Sequence, residues 1–210
     1  MPADAPRPLP RGRHTLSRSE VSAAQRDRIL DGLAEAMADK GYVGTSVTDI
    51  IKRAGVSRET FYELFESKHD CFHAAFAMAG DMLLARLSSL AEAHGSREER
   101  LDALFDAYFE SLVEFPAFAR LFLVEAYAAG PEIMALRADR QRLIAAALAD
   151  LLDLHDADGR FACELVVAGV GALVTTPLVR GDQAALAAVR APLTAFALRQ
   201  LGPVAATETT

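Results

Sequence analysis

The chain has 210 residues, of which 51% are hydrophobic and 24% are charged, and its formal net charge is −7. This length and apolar content suffice for a sizeable folded core. Cys71 and Cys163 lie far apart and have no metal-ligand spacing, so they indicate two reduced thiols of a cytoplasmic protein. Residues 1–10 contain prolines but no apolar run, which excludes a signal peptide there.

The charges are unevenly distributed along the chain. Residues 1–68 carry eleven basic and ten acidic side chains, a net charge of +1, whereas the remainder carries a net charge of −8. The first 28 residues alone contain six arginines and three acids. A local basic surface rather than the total charge decides phosphate binding, so DNA is not excluded as a partner.

Residues 1–19 are rich in proline and arginine and lack periodicity, which predicts a disordered arm. Its arginines either reach DNA phosphates or a minor groove, as basic arms do, or remain solvated. Residues 22–40 then form the first predicted helix, with its apolar positions three and four apart.

Two short helices joined by a tight turn follow in residues 45–68. Ser46 can cap the first, and Asp49 stands three residues later, where its carboxylate can reach back to the exposed N–H groups. Gly55 suits a helix end with positive φ, and Ser57 can cap the second helix. This arrangement is typical of a helix-turn-helix, whose second helix enters the major groove of DNA.

The same segment resembles the DNA-binding region of the TetR family of bacterial repressors. The resemblance covers residues 20–75. It lies in Ala54-Gly-Val-Ser57, Thr60-Phe-Tyr62, Phe65, Ser67 and Lys68, with Gly41-Tyr42, Thr45, Arg26 and Arg28 upstream. It implies a homodimer that binds a palindromic operator and is released by a small-molecule effector.

The resemblance places the first turn of the second helix against the bases. Arg58 can donate two hydrogen bonds to guanine, Glu59 can accept from cytosine, and Thr60 can touch a thymine methyl group. Hydroxyl and ammonium groups at helix starts are expected to meet phosphates. The full predicted DNA-binding set is Thr45, Thr48, Ser57, Arg58, Glu59, Thr60, Tyr62 and Lys68.

The remaining chain predicts further helices and no strand. A long helix to about residue 93 follows Lys68, and Ser96 with Glu99 forms a capping box for a helix over 97–114. Further helices begin at Pro116 and near residues 132, 160 and 183, and 156–159 is predicted to be a loop. The fold is therefore predicted to be all-α with about nine helices. The expected domains are a basic arm (1–19), a DNA-binding domain (20–67), an effector-binding and dimerisation domain (68–202) and a disordered tail (203–210).

Aromatic and apolar residues in the body suit a pocket for a hydrophobic or aromatic effector, although the same spacing also suits an ordinary core. The candidate ligand-binding residues are Met82, Phe105, Tyr108, Phe109, Leu112, Phe122 and Glu125. Apolar and small residues in the last two helices predict a four-helix dimer interface, with intrachain packing as the alternative. The candidate interface residues are Gly169, Ala172, Leu186, Val189, Leu193 and Phe196.

Other functions have little support in the sequence. It has no catalytic motif, so no enzymatic activity and no cofactor are expected. His69 and His73 have metal-compatible spacing but no evident third ligand, so no metal site is predicted. Residues 161–179 are apolar enough to span a membrane, but Glu164 and Pro177 favour a buried helix. The alternative function is a DNA-binding regulator or architectural protein without a small-molecule ligand.

Overall fold

The structure, a computed structural model, describes residues 17–91 and 95–201. Many of its helices begin at a side chain that accepts the exposed backbone N–H groups. The capping boxes predicted at Ser46 with Asp49 and at Ser96 with Glu99 are both formed. Ser17 starts the first helix with a third capping box, which the sequence analysis did not identify.

The described residues form nine α-helices and one short 3-10 helix, with no strand, which confirms the all-α prediction. The helices are α1 (Arg18–Gly44), α2 (Val47–Ala54), α3 (Arg58–Leu64), α4 (Lys68–Ala91), α5 (Arg97–Glu114), α6 (Pro116–Leu123), α7 (Pro131–Leu151), α8 (Ala157–Arg180) and α9 (Gln183–Leu201). The 3-10 helix spans Glu125–Ala128, between α6 and α7.

Two helix starts differ from the prediction. The first helix begins at Arg18 rather than near residue 22, because Ser17 caps it. The loop predicted at 156–159 is wrong, since the Asp156 side chain accepts a hydrogen bond from Gly159 N at 2.8 Å and starts α8 there. The predicted arm up to residue 16 and the predicted tail from 203 lie outside the described residues.

One hydrophobic core lies under the helix-turn-helix and extends beyond the predicted boundary at residue 67. We call the structure around it the head. Its core joins residues of α1, α2 and α3 to residues of α4, α6, the 3-10 helix and α7. Its largest fully buried side chains are Ile29, Leu30, Leu33, Met37, Ile50, Phe61, Phe72, Phe76, Leu121 and Ile133. The head is therefore built partly from segments that the sequence analysis assigned to the body.

A second hydrophobic core joins α4, α5, α7, α8 and α9, and we call the structure around it the body. Phe122 of α6 packs against both cores, and its ring stacks on Phe76 with a centroid separation of 4.5 Å. Phe122 thus connects the two cores through van der Waals contacts.

Helix α8 is the one described helix that is long and apolar enough to cross a membrane, with a mean hydropathy of 1.8 in its most apolar window. It packs against α6, α7 and α9, and Val166, Val170 and Val174 point into the body core. A third of that window is buried, so much of its apolar surface is left exposed.

Candidate DNA interface and effector cavity

The turn between α2 and α3 has the geometry of a helix-turn-helix. Gly55 takes φ 62° and ψ 38°, the left-handed conformation that glycine adopts without steric cost, and ends α2. Ser57 caps α3 by accepting from Thr60 N at 3.0 Å. Helix α2 packs so closely on α1 that a Cβ at Gly32 would lie 2.9 Å from Ala54 N. The two short helices are therefore fixed both by their caps and by the first helix.

The predicted base-contacting side chains lie together at the surface near the start of α3. Arg58, Glu59 and Thr48 are exposed, and Arg58 donates a 2.9 Å hydrogen bond to the Thr48 hydroxyl. Tyr62 is 49% exposed while its ring packs edge-on against the buried Phe61. This surface presents a cation, a carboxylate and two hydroxyls, the groups that major-groove edges can recognise.

Two further predicted residues also serve the local fold. The hydroxyls of Ser57 and Thr60 lie 2.9 Å apart, and Ser57 caps the helix. Thr60 is partly buried, whereas Ser57 is exposed. Because the Ser57 hydroxyl already accepts a hydrogen bond from its own helix, it has less hydrogen-bonding capacity left for DNA.

The structure corrects the prediction for the Thr45 side chain. It is 3% exposed, and its hydroxyl donates to the Gly41 carbonyl at 2.8 Å. Gly41 has φ 69°, so the α1 helix is interrupted there and its carbonyl needs a donor. Thr45 therefore stabilises the end of α1 rather than presenting a hydroxyl to phosphate.

Lys68 lies at the start of α4, as predicted, but its ammonium already has hydrogen-bond partners within the head. Its ammonium donates to the carbonyls of Tyr42 at 2.7 Å and Thr45 at 2.9 Å, and lies 4.3 Å from the centre of the Tyr42 ring. Partial burial lowers the pKa of this ammonium. The side chain ties the start of α4 to the end of α1, so a phosphate could use only what remains of its donor capacity.

Glu125 lies between head and body rather than in a ligand pocket, which corrects another prediction. It is 5% exposed, accepts from Tyr42 N at 2.7 Å and pairs with Arg120 Nε at 3.1 Å. Arg120 also donates to the Val179 carbonyl of α8 at 3.3 Å. The carboxylate thus joins the end of α1 to α6 and, through Arg120, to α8.

A cavity of about 290 Å³ lies in the body between α4, α5, α6, α7 and α8. Five of the predicted ligand-binding residues line it: Met82, Phe105, Tyr108, Leu112 and Phe122. Phe109 and Glu125 are absent from its wall, and Phe109 instead packs in the body core. The volume is near the lower end of the range for small-molecule pockets.

The buried cation in this cavity was not predicted from the sequence. Arg137 of α7 lines the wall although it is only 7% exposed. Its guanidinium carbon lies 4.8 Å from the centre of the Tyr127 ring. Ile133 and Ile144, four residues before and seven residues after it, are both buried, so Arg137 occupies a helical core position. An arginine in an otherwise apolar stripe was the signal that could have identified it.

The candidate dimer residues divide between the core and the surface. Leu186 and Leu193 belong to the body core of the same chain, at 5% and 7% exposure, which favours the alternative of intrachain packing for these two residues. Val189 packs partly on that core, and Gly169 is half-buried. Ala172 and Phe196 are exposed.

An apolar surface does exist, but it is formed mainly by other residues. Phe161, Leu165, Leu173 and Val179 of α8 are 60%, 56%, 53% and 47% exposed, and Phe196 of α9 is 45% exposed. We call these five residues the α8–α9 face. Four large apolar side chains exposed on one helix indicate a contact surface.

Within residues 17–91 and 95–201 there is no group of three or more His, Cys, Asp or Glu side chains arranged to hold a metal. Both cysteines are buried. Burial raises the pKa of the Cys71 thiol to about 12 and that of Cys163 to about 11, so neither is activated as a nucleophile.

Residues 29–75, which contain the helix-turn-helix, match the family described as bacterial regulatory proteins, tetR family. The transcriptional activator FasR of Mycolicibacterium smegmatis is 26% identical over 111 residues, covering 53% of this chain and 51% of FasR. The transcriptional repressor KstR2 of the same organism is 32% identical over 90 residues, covering 43% of this chain and 44% of KstR2. The chain thus spans about half the length of the curated relatives it matches.

A solved structure extends the likeness to the whole fold. The regulator FadR of Bacillus subtilis, solved in complex with stearoyl-CoA, superposes with a TM-score of 0.71 and 20% identity, covering 85% of this chain and 99% of FadR. The described helices therefore form a helix-turn-helix head on an all-helical body. Residues 29–75 thus form a domain of the kind found in bacterial regulatory proteins of the tetR family, and the likeness of the rest of the chain is one of fold.

Proposed function

We propose that this protein is a homodimeric transcriptional repressor that binds a palindromic operator and is released from it by a small hydrophobic or aromatic effector. The observation that carries the DNA-binding part is the exposed cluster at the start of α3, in which Arg58 is oriented by its hydrogen bond to Thr48. An exposed, oriented guanidinium can make the two-point contact to guanine that gives sequence preference.

The test is a band-shift titration with the DNA that flanks the protein's own gene, in competition with random DNA. Arg58→Ala should cost about 1–3 kcal/mol on the specific site and relax the preference at one base pair per half-site. Arg142→Ala is the matched control, because Arg142 is an exposed arginine of α7 in the body. Equal losses on specific and random DNA for Arg58→Ala, or no shift of the flanking DNA at low salt, would contradict the proposal.

The dimer is supported by the α8–α9 face and by the two-fold symmetry that a palindromic operator requires. Two copies that meet through α8 and α9 would bury this face in a four-helix arrangement. Leu165→Glu should therefore shift the protein towards monomer in sedimentation equilibrium, whereas Arg160→Glu, a charge reversal on an exposed neighbour, should not. A wild-type protein that remains monomeric at micromolar concentration would contradict this part.

The cavity supports effector control over the alternative of a regulator without a ligand. Phe122 lines this cavity and also packs on the head core, so a ligand that displaces it would act on both. Half-sites one DNA turn apart tolerate little change in the separation of the two heads, so a small displacement lowers operator affinity. FadR in complex with stearoyl-CoA supports a hydrophobic effector by analogy.

The release step can be tested with the cavity filled by mutation. Ala119→Phe adds a ring at the wall of the cavity and should make operator binding insensitive to hydrophobic compounds that release the wild type. Ala103→Phe, on the exposed side of α5, is the control. A compound that increases both DNA binding and transcription would instead make the protein an activator, as FasR is.

A further inference from the structure

The effector cavity contains a charge that the protein itself does not neutralise. Arg137 is more than nine-tenths buried, and its Nε has no hydrogen-bond partner. In the described part of the chain, no carboxylate lies within ion-pair distance of its guanidinium. A buried cation without a partner is costly, because the loss of hydration is not repaid.

Arg137 is the one arginine of the described residues that is buried, and it lacks the ion-pair partner that two other arginines of the body have. Arg140, one helical turn further along α7, pairs with Asp81, and Arg100 pairs with Asp153 at 3.1 Å. The Tyr127 ring offers Arg137 a cation–π contact, but a ring face accepts none of its directional N–H groups fully. The guanidinium is thus held in place while its hydrogen-bonding capacity stays available.

The surroundings of Arg137 suit one small acidic group. Helix α8 approaches closely at Gly171, where an added Cβ would lie 4.0 Å from an Arg137 terminal nitrogen. Tyr108 and Gln141 line the same cavity, and burial raises the pKa of the Tyr108 hydroxyl, which therefore stays protonated and able to donate. Apolar side chains of α5, α6 and α8 form most of the remaining wall.

The position of the charge within the cavity restricts the size of that group. The buried part of the wall includes Arg137, Ile144 and Val170, whereas Glu110 and Glu114 are exposed and mark the entrance side. An acidic group at the entrance would meet those two carboxylates, although Arg86 is also exposed there. A polyanion is therefore disfavoured at the entrance, and the buried part of the wall offers it one cation, Arg137.

We propose that the effector is an apolar molecule that carries one compact acidic group, a carboxylate, and that Arg137 binds this group at the buried end of the cavity. The proposal rests on the effector-controlled function above and specifies its ligand. It separates this chain from FadR, whose bound stearoyl-CoA has its phosphates on a large nucleotide head. A carboxylate and a guanidinium form two parallel hydrogen bonds, which would satisfy the Arg137 donors.

Isothermal titration calorimetry of the full chain without DNA tests the proposal. The probes are straight-chain carboxylates from hexanoate to dodecanoate and 3-phenylpropanoate, each paired with the primary alcohol of the same skeleton. The wild type should bind at least one acid about tenfold or more tighter than its alcohol, as expected for a charge-assisted hydrogen bond. Arg137→Met should remove this preference and leave alcohol binding within about threefold, whereas Arg140→Gln, which deletes a charge on the same helix, should keep it.

The remaining outcomes overturn the proposal. One is that the acids do not bind, or bind no better than the alcohols. Another is that the preference for acids survives in Arg137→Met. The third is that the binding of decanoyl-CoA depends on Arg137 whereas the binding of decanoate does not. Arg137→Lys, which keeps the charge but loses the two-point geometry, should retain part of the preference. Because the calorimetric measurement contains no DNA, its result does not depend on operator release. Carboxylate binding without release would contradict the proposed effector control alone. Release by a neutral compound, without a preference for carboxylates, would contradict the Arg137 proposal alone.

Discussion

The head and the body differ in whether their buried polar groups have hydrogen-bond partners. In the head, the buried or half-buried polar groups are satisfied by neighbours: Lys68 caps two carbonyls, Thr45 caps Gly41, and Glu125 accepts from both Tyr42 and Arg120. In the body, Arg137 is also buried, at 7% exposure, but its Nε has no partner. A satisfied network specifies one rigid geometry, whereas an unsatisfied group marks a place where a ligand completes the structure.

The largest expected effect comes from the core of the head. Phe61 is fully buried beneath the DNA-binding face, whereas Phe161 of the α8–α9 face is 60% exposed. Phe61→Ala should lower the free energy of unfolding by about 3–5 kcal/mol through the cavity it leaves. Phe161→Ala should lower it by no more than about 0.5 kcal/mol when the protein is dilute and monomeric.

Urea denaturation at low and high protein concentration measures both variants. A loss for Phe161→Ala that appears only at high concentration would place this residue in a dimer contact, since association stabilises the native state by mass action. Similar losses for the two variants in the dilute protein would contradict the distinction between a core and a contact surface.

The second test concerns the contact between the two regions. Glu125→Gln removes the charge that pairs with Arg120 but keeps the shape of the side chain, so it should cost about 1–3 kcal/mol of stability. Calorimetry should show a melting temperature lower by about 2–4 °C for each kcal/mol in a domain of this size. Glu164→Gln, at an exposed glutamate beyond the first turn of α8, is the control and should leave the melting temperature unchanged. An unchanged Glu125→Gln melting temperature would show that this carboxylate does not couple the head to the body.

The third test asks whether Arg137 lowers the stability of the empty protein. Arg137→Met replaces an unpaired buried cation by an apolar side chain of similar length, and such replacements are often neutral or stabilising. The ligand-free variant should therefore melt at or above the temperature of the wild type. Melting more than about 4 °C below wild type, equivalent to roughly 1–2 kcal/mol, would mean that Arg137 stabilises the fold and would remove the reason to assign it a ligand.

The sequence predicted the head far better than the cavity, because the interactions that define the two lie at different separations along the chain. Ser46, Asp49, Gly55 and Ser57 act within a few residues of one another, so their roles follow from spacing alone. The cavity draws on five helices, and neither its wall nor the inward position of Arg137 follows from any one of them. Leu186 and Leu193 show the same difficulty, because a helical stripe does not tell whether its partner is the same chain or a second copy.

Lys68 shows that some contacts within the head also could not be predicted from the sequence. The resemblance indicated a phosphate contact, but Gly41 interrupts α1 and leaves carbonyls that the Lys68 ammonium satisfies. These carbonyls obtain their donor only because α4 packs on α1, and no pattern in the local sequence indicates such a long-range hydrogen bond.

The smallest expected effect tests the local capping that made the head predictable. Lys40 and Ser46 hydrogen-bond the Asp49 carboxylate and hold its pKa below the ordinary value of 3.8. Because the folded protein binds this proton less readily than the unfolded chain, the stabilisation is present above pH 3.8 and is lost as the pH falls below it. Asp49→Asn should therefore make acid unfolding of the head less steep, which circular dichroism between pH 5 and pH 2 can measure against Asp139→Asn, an exposed aspartate of α7. An acid unfolding curve that is the same in Asp49→Asn and wild type would mean that the helix start of α2 depends on the Ser46 hydroxyl alone.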